Sequence, residues 1–142
     1  MMKNTMVTYP LGIYAFILIA GGLFSSCSKM ETLPDNASIL FEKTEHDFGE
    51  IPEKIEARVV FNFENSSKHP LIVKEVKTSC GCAAPSWTEE PIAPSEKGEI
   101  TVTYDAEYPG KFHKTITVFY NGKDSPQQLI IKGRVPYPKT QE

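Results

Sequence analysis

A chain of 142 residues with a formal charge of −3 makes one ordinary domain rather than two. With 15 basic and 18 acidic side chains the bulk composition gives no hint of a nucleic-acid footprint, and no nucleic-acid partner is expected. The hydrophobic fraction of 40% suffices for a globular core, and three cysteines and three histidines bound any thiol or metal chemistry.

The first segment reads as an address. Lys3 supplies a positive start, and Leu11 to Phe24 is uncharged and largely apolar. That run is too short for a comfortable membrane span, which takes roughly 20 apolar residues. Ser25-Ser26-Cys27 follows, and the arrangement resembles a bacterial lipoprotein signal, with Leu23 one place further from Cys27 than the usual pattern. Residues 1–26 are then a signal peptide, Cys27 is the lipidation site, and the lipid supplies a membrane anchor. An ordinary signal peptide with an unrelated cysteine and an uncleaved anchor are the alternatives. Ser28-Lys29-Met30-Glu31 lacks the acidic cluster that resembles a surface-export signal, so the expected address is the cell envelope, at the outer membrane and facing the periplasm. Residues 27–37, polar and carrying Pro34, Asp35 and Asn36, read as a tether.

From residue 38 to 136 the pattern has period two, interrupted by turn residues. Ser38 to Glu42 is a first strand, and His46 to Gly49 is a short extended piece. In the next strand Ala57, Val59, Phe61 and Phe63 share one face, with Arg58, Asn62 and Glu64 on the other. Asn65 to Pro70 closes it as a loop. Leu71 to Lys77 is a strand whose parity changes near Lys74-Glu75, which predicts a bulge there or burial of both faces. Cys80 to Ser95, with Pro85, Pro91 and Pro94, reads as a loop. Ile100, Val102 and Tyr104 face inward while Thr101 and Thr103 face out; Phe112, Ile116, Val118 and Tyr120 share a face; and Leu129, Ile131, Gly133 and Val135 form the last strand. Residues 137–142 read as a tail. About seven strands without a helix predict an all-β, immunoglobulin-like sandwich. Cys80 and Cys82 stand too close together to bridge opposite sheets, so packing by Phe61, Phe63 and Trp87 is expected to take the place of an inter-sheet disulfide.

Five segments occur in a particular order: Thr44-Glu45-His46-Asp47-Phe48-Gly49-Glu50-Ile51, Phe61-Asn62-Phe63-Glu64-Asn65, Thr78-Ser79-Cys80-Gly81-Cys82, Ile92-Ala93-Pro94-Ser95-Glu96-Lys97-Gly98 and Gly110-Lys111-Phe112-His113-Lys114-Thr115-Ile116. Together they resemble the bacterial domain-of-unknown-function family numbered fifteen seventy-three, whose members are often lipoproteins or secreted proteins. That family is in turn similar to the immunoglobulin-like modules of the major-sperm-protein and cilia-associated class. The resemblance implies the sandwich but no activity. Two positions depart from the family pattern: Ala83 where a threonine is common, and Ser95 where a glycine is common.

The chemistry worth considering lies at Cys80 and Cys82, and three readings stand. They form a small disulfide ring, labile enough for a redox role and made possible by the backbone freedom of Gly81. Alternatively, their thiolates hold a soft ion with a histidine, His46 first among His46, His69 and His113. In the third reading they only fasten a strand end. His46-Asp47 as an acid–base pair is disfavoured, since neighbours on an extended strand point apart; Asp47 is expected to bond nearby backbone N–H groups instead. No phosphate loop, nucleophile elbow or metal-spaced carboxylates occur, so no enzyme activity and no resident cofactor are expected. The function expected is a non-enzymatic, lipid-anchored module that binds or scaffolds a protein partner in the envelope. The alternative is thiol–disulfide or soft-metal handling at the Cys-Gly-Cys loop.

Overall fold

The computed structural model describes residues 35–138, so Cys27, the signal segment and the end of the tail lie outside the described residues. Eight strands follow one another: β1 (Ile39–Phe41), β2 (Glu45–Glu50), β3 (Glu56–Asn65), β4 (Val73–Thr78), β5 (Ala83–Trp87), β6 (Lys97–Asp105), β7 (Gly110–Tyr120) and β8 (Gln127–Val135). They form two four-stranded sheets, β1-β3-β6-β5 and β2-β8-β7-β4. All pairings are antiparallel except β2 with β8. This is an immunoglobulin-like sandwich in which the first strand is divided, β1 serving one sheet and β2 the other.

Alternation places the core. On β3 the buried positions are Ala57, Val59, Phe61, Phe63 and Asn65, so a single parity fills the space between the sheets. Ile100 and Val102 join them from β6, with Ile116 and Val118 from β7 and Leu129 and Ile131 from β8. Phe61 and Phe63 are fully buried and Phe41 meets Phe63 edge-on at 5.5 Å, whereas Trp87 is only half-buried at the margin of the core. The two phenylalanines therefore carry the inter-sheet packing, and Trp87 contributes from the side.

Several expectations need correction. Ala83 to Trp87, read as loop, is strand β5, paired with β6 from Ala83↔Tyr104 to Trp87↔Ile100. Pro85 is compatible with it because β5 lies at a sheet edge. Thr88 N donates to Glu99 O and Asp105 N donates to Cys82 O, so the even-numbered residues face β6 and the Pro85 nitrogen faces away from the ladder. Thr101 points to the outer face yet is buried, because Val60 and Ser86 flank it on neighbouring strands. Ala37 is buried, and its N–H donates to Asn121 O at 3.0 Å. The wrinkle in β4 is present as a register shift between Val73 and Glu75.

The strand registers define two poles. One gathers residues 35–38, 66–72, 88–96 and 121–126, where Leu71 pairs with Ile92. Buried Asn65 and Asn121 stitch it together. Asn65 Nδ2 donates to His69 O and Ile92 O, both at 2.8 Å, while its Oδ1 accepts from Ser67 N and Oγ. Asn121 Nδ2 donates to Pro70 O and its Oδ1 accepts from Ile72 N. In the same region Ala93-Pro94-Ser95-Glu96 is a turn closed by Glu96 N donating to Ala93 O, with Ser95 at φ 64°. A turn with proline second and positive φ third is type II, which favours glycine at the third place. Ser95→Gly is therefore expected to raise stability by roughly 0.5–1 kcal/mol, the left-handed penalty less the flexibility glycine adds to the unfolded chain. Urea titration of the two proteins measures it, and a lower midpoint for the glycine variant would refute it.

Candidate functional site

The cysteines lie at the corner where the chain leaves one sheet for the other. Beyond Thr78, which opposes Ile116, Ser79 N donates to Thr115 O at 3.0 Å and Thr115 N donates to Ser79 Oγ at 3.1 Å. A serine hydroxyl thus replaces the next ladder acceptor, and regular pairing between β4 and β7 stops. The Thr78 hydroxyl then closes the corner, shared between Cys80 O at 2.8 Å and Ala83 O at 3.1 Å. On the far side Cys82 O accepts from Asp105 N at 2.9 Å and starts β5 on β6. Cys80 and Cys82 are bonded as a disulfide, with Cα atoms 5.4 Å apart, inside the roughly 4.4–6.8 Å range that such bridges require. Both are half-buried against the core margin. Gly81 does not supply special backbone freedom: its φ is not positive, and an added Cβ would meet nothing within 4 Å.

Both ends of this corner are held by hydrogen bonds independent of the bridge, and the bridge closes only a minimal loop. Such a loop removes little chain entropy from the unfolded state. Cys80→Ser combined with Cys82→Ser is expected to melt within a few degrees of wild type, on the order of 1 kcal/mol less stable. Loss of the cooperative transition in thermal melts would show that the bridge is essential to the fold.

The metal set is not brought together. His46 lies on β2 at one edge of its sheet, whereas the cysteines follow β4 at the other, three strand spacings or about 14 Å away. Among the described residues no group of three or more His, Cys, Asp or Glu side chains is placed to hold a metal ion. His46 instead meets Phe48 edge-on at 4.5 Å, and desolvation, then the Lys43 charge, depresses its pKa. Its neighbour Asp47 accepts from Gly49 N at 2.8 Å, the local backbone role expected of it.

Two concavities lie near the disulfide's pole. A broad basin of about 530 Å³ interleaves Asp47 and Glu50 with Lys111, His113, Lys132 and Arg134, and so presents no single charge sign. A smaller cleft of about 220 Å³ runs from Cys82 past Tyr104, Asp105 and Tyr108 to Phe112, with two lysines, Lys111 and Lys114, against the one carboxylate. Tyr104 stacks on Phe112 at 4.0 Å, and burial pushes its phenol pKa up. Tyr108 stands 75% exposed at the rim. Nothing local in the sequence marks Tyr108 or Lys114; a tyrosine before Pro109-Gly110 reads only as turn surface.

The sequence model of one family, described as "Protein of unknown function (DUF1573)", matches residues 39–135, the whole span from β1 to β8. The chain belongs to the DUF1573 family. Among solved structures, this DUF1573 chain superposes on a protein of unknown function from Porphyromonas gingivalis W83 with a TM-score of 0.64 at 15% identity, over 73% of this chain and 49% of that one. The chain thus spans about half the length of the Porphyromonas protein. The ASH / PapD-like domain of human CEP192 superposes with a TM-score of 0.62 at 7% identity, over 98% of this chain and 99% of that one. The secreted serine protease VesC from Vibrio cholerae matches with 0.52 at 8% identity, over 70% of this chain and 23% of that one. At these identities the likeness is one of fold. No curated protein matches the DUF1573 chain.

Proposed function

We propose that this DUF1573 chain is a non-enzymatic binding or scaffolding module, held to the cell envelope by a lipid on Cys27 and directed at another envelope protein. The observation that supports this reading best is the filled interior. Phe61, Phe63, Ile100, Ile116 and Leu129 occupy the space between the sheets and leave them fully buried, so recognition falls to the outer surface. In such sandwiches the loops and strand edges recruit partners. The lipid address rests on the apolar run before Ser25-Ser26-Cys27. Cross-linking in intact envelopes, followed by purification of the full chain, should recover a defined partner. Recovery of the monomer alone under several conditions would sink the binding reading. Palmitate-analogue labelling should vanish in Cys27→Ala, and its persistence would remove the lipid anchor.

A second reading has a specific observation in its favour. The Cys80–Cys82 bridge sits half-buried at a surface corner, within reach of an exchanging thiol. Mass spectrometry after alkylation, with and without reductant, separates the two. Two thiols alkylated without reductant would remove the support for a thiol–disulfide role.

A further inference from the structure

β7 is an interior strand for only half its length. β4 pairs with it from Tyr120 back to Ile116 and then turns away at Ser79, whereas β8 follows it all the way to Gly110. The segment from Gly110 to Lys114 therefore has a neighbour on one side only. Strand alternation shows which backbone groups this leaves open. Thr115 exchanges its N–H and C=O with Ser79, on the β4 side, so the groups of Lys111 and His113 point the same way. Opposite Arg134 and Lys132 these two residues are the non-hydrogen-bonded pairs of the β7–β8 ladder. Among the described residues their N–H and C=O groups take no turn, loop or cap partner.

The four formal sheet edges are each blunted. β1 has three residues. β2 has a register shift between Asp47 and Glu50, and the Asp47 carboxylate occupies Gly49 N–H. β4 carries a register shift between Val73 and Glu75. β5 carries Pro85. These are the ordinary defences of a sheet margin. The β7 stub lacks a bulge or a proline, and it borders the cleft between Cys82, Tyr104, Tyr108 and Phe112.

We propose that the open edge of β7 at Lys111 and His113 is a docking site for an extended acidic strand of a protein partner. The inference rests on the binding-module reading and specifies its surface. The incoming strand continues the line that β4 abandons and pairs antiparallel or parallel with Lys111 and His113. Its alternate side chains enter the aromatic cleft. Side chains of that parity share a face with Lys114 and those of the other parity share a face with Lys111, so an acidic residue of either parity meets a lysine, and neither lysine has an ion pair among the described residues. Those lysines also determine what does not bind. A second copy of this chain, edge to edge, would set lysine against lysine. The chain's own tail carries Pro136 and Pro138, which lack the N–H donors a strand needs.

The test uses the full chain and a panel of short blocked peptides in which glutamate alternates with valine or phenylalanine, with lysine-for-glutamate peptides as controls. The acidic peptides should bind, more weakly as salt is raised. Amide exchange at Lys111 and His113 should slow by about tenfold or more on binding. His113→Pro removes an N–H that faces away from β8, so it should fold and yet bind about tenfold more weakly. Lys111→Glu combined with Lys114→Glu tests the charge without touching the backbone and should reverse the preference towards the lysine peptides. The proposal is overturned if no peptide slows those amides, if protection appears on another edge, if the lysine peptides bind the wild type equally well, or if self-association or the chain's own tail protects the same amides without peptide. An envelope partner whose cross-links map elsewhere overturns this docking surface and leaves the module reading standing, whereas the absence of any partner counts against that reading itself.

Discussion

Phe61→Ala is expected to cost about 3–5 kcal/mol, the lost transfer energy of the ring plus the cavity it leaves. The side chain is fully buried on the second strand of its sheet, opposite Ile100, and neighbours on both strands are held by ladder hydrogen bonds, so the site has little freedom to collapse. Domains of this size have only about 5–15 kcal/mol to lose, so much of the population should unfold near physiological temperature. The single tryptophan, half-buried Trp87, offers a fluorescence signal for urea unfolding. Leu40→Ala, at a position 61% exposed, is the control and should stay within about 0.5 kcal/mol of wild type. Equal midpoints for the two variants would contradict the assignment of Phe61 to the centre of the core.

Asn65→Ala should be almost as damaging although it removes no apolar contact. The amide fills all its hydrogen-bonding capacity inside the protein, two donors to His69 O and Ile92 O and two acceptances from Ser67. Truncation strands buried carbonyls, at about 1–3 kcal/mol for each group left unpaired, so a loss of roughly 2–4 kcal/mol is expected. Ser67→Ala removes only one hydroxyl from the same network, at a more exposed position, and should cost less than about 1 kcal/mol. Hydrogen exchange adds a local readout. In Asn65→Ala the amides of Leu71 and Ile92, which pair with each other across this pole, should exchange faster relative to those of β7 and β8. A variant with wild-type exchange there would show that the loops hold together without the asparagine.

What the sequence discloses here follows a physical division. β3 is legible because a strand with one wet face writes its burial as strict alternation, and Ala57, Val59, Phe61 and Phe63 do so. The bulge in β4 is legible for the same reason, as a break in parity. β5 is hidden because Pro85 signals a loop, and only knowledge that the strand is marginal and which way its nitrogen points reverses that reading. Asn65 is hidden because an asparagine before two serines has the composition of a turn, and its burial depends on residues 27 positions away. The departure at Ser95 is visible by comparison with the family, but its cost appears only once φ is known. The cysteine corner is conspicuous, whereas the open stretch of β7 beside it has no local signature. It exists because a different strand stops early, and periodicity along one strand carries no record of its neighbours.

The position of Asn121 has a consequence for reach. Ala37, near the first of the described residues, donates to its carbonyl oxygen, and β7 runs from there towards the opposite pole. From Asn121 back to the Lys111–His113 stretch is about nine residues of strand, or about 30 Å at 3.3 Å per residue. A domain held through its N-terminus therefore carries the Cys80–Cys82 corner and the open half of β7 at its far end. A strand that docks on Lys111 and His113 is therefore held about one sandwich length from the point where Ala37 joins the domain, and it can lengthen the molecule at that end without touching the loops around Asn121.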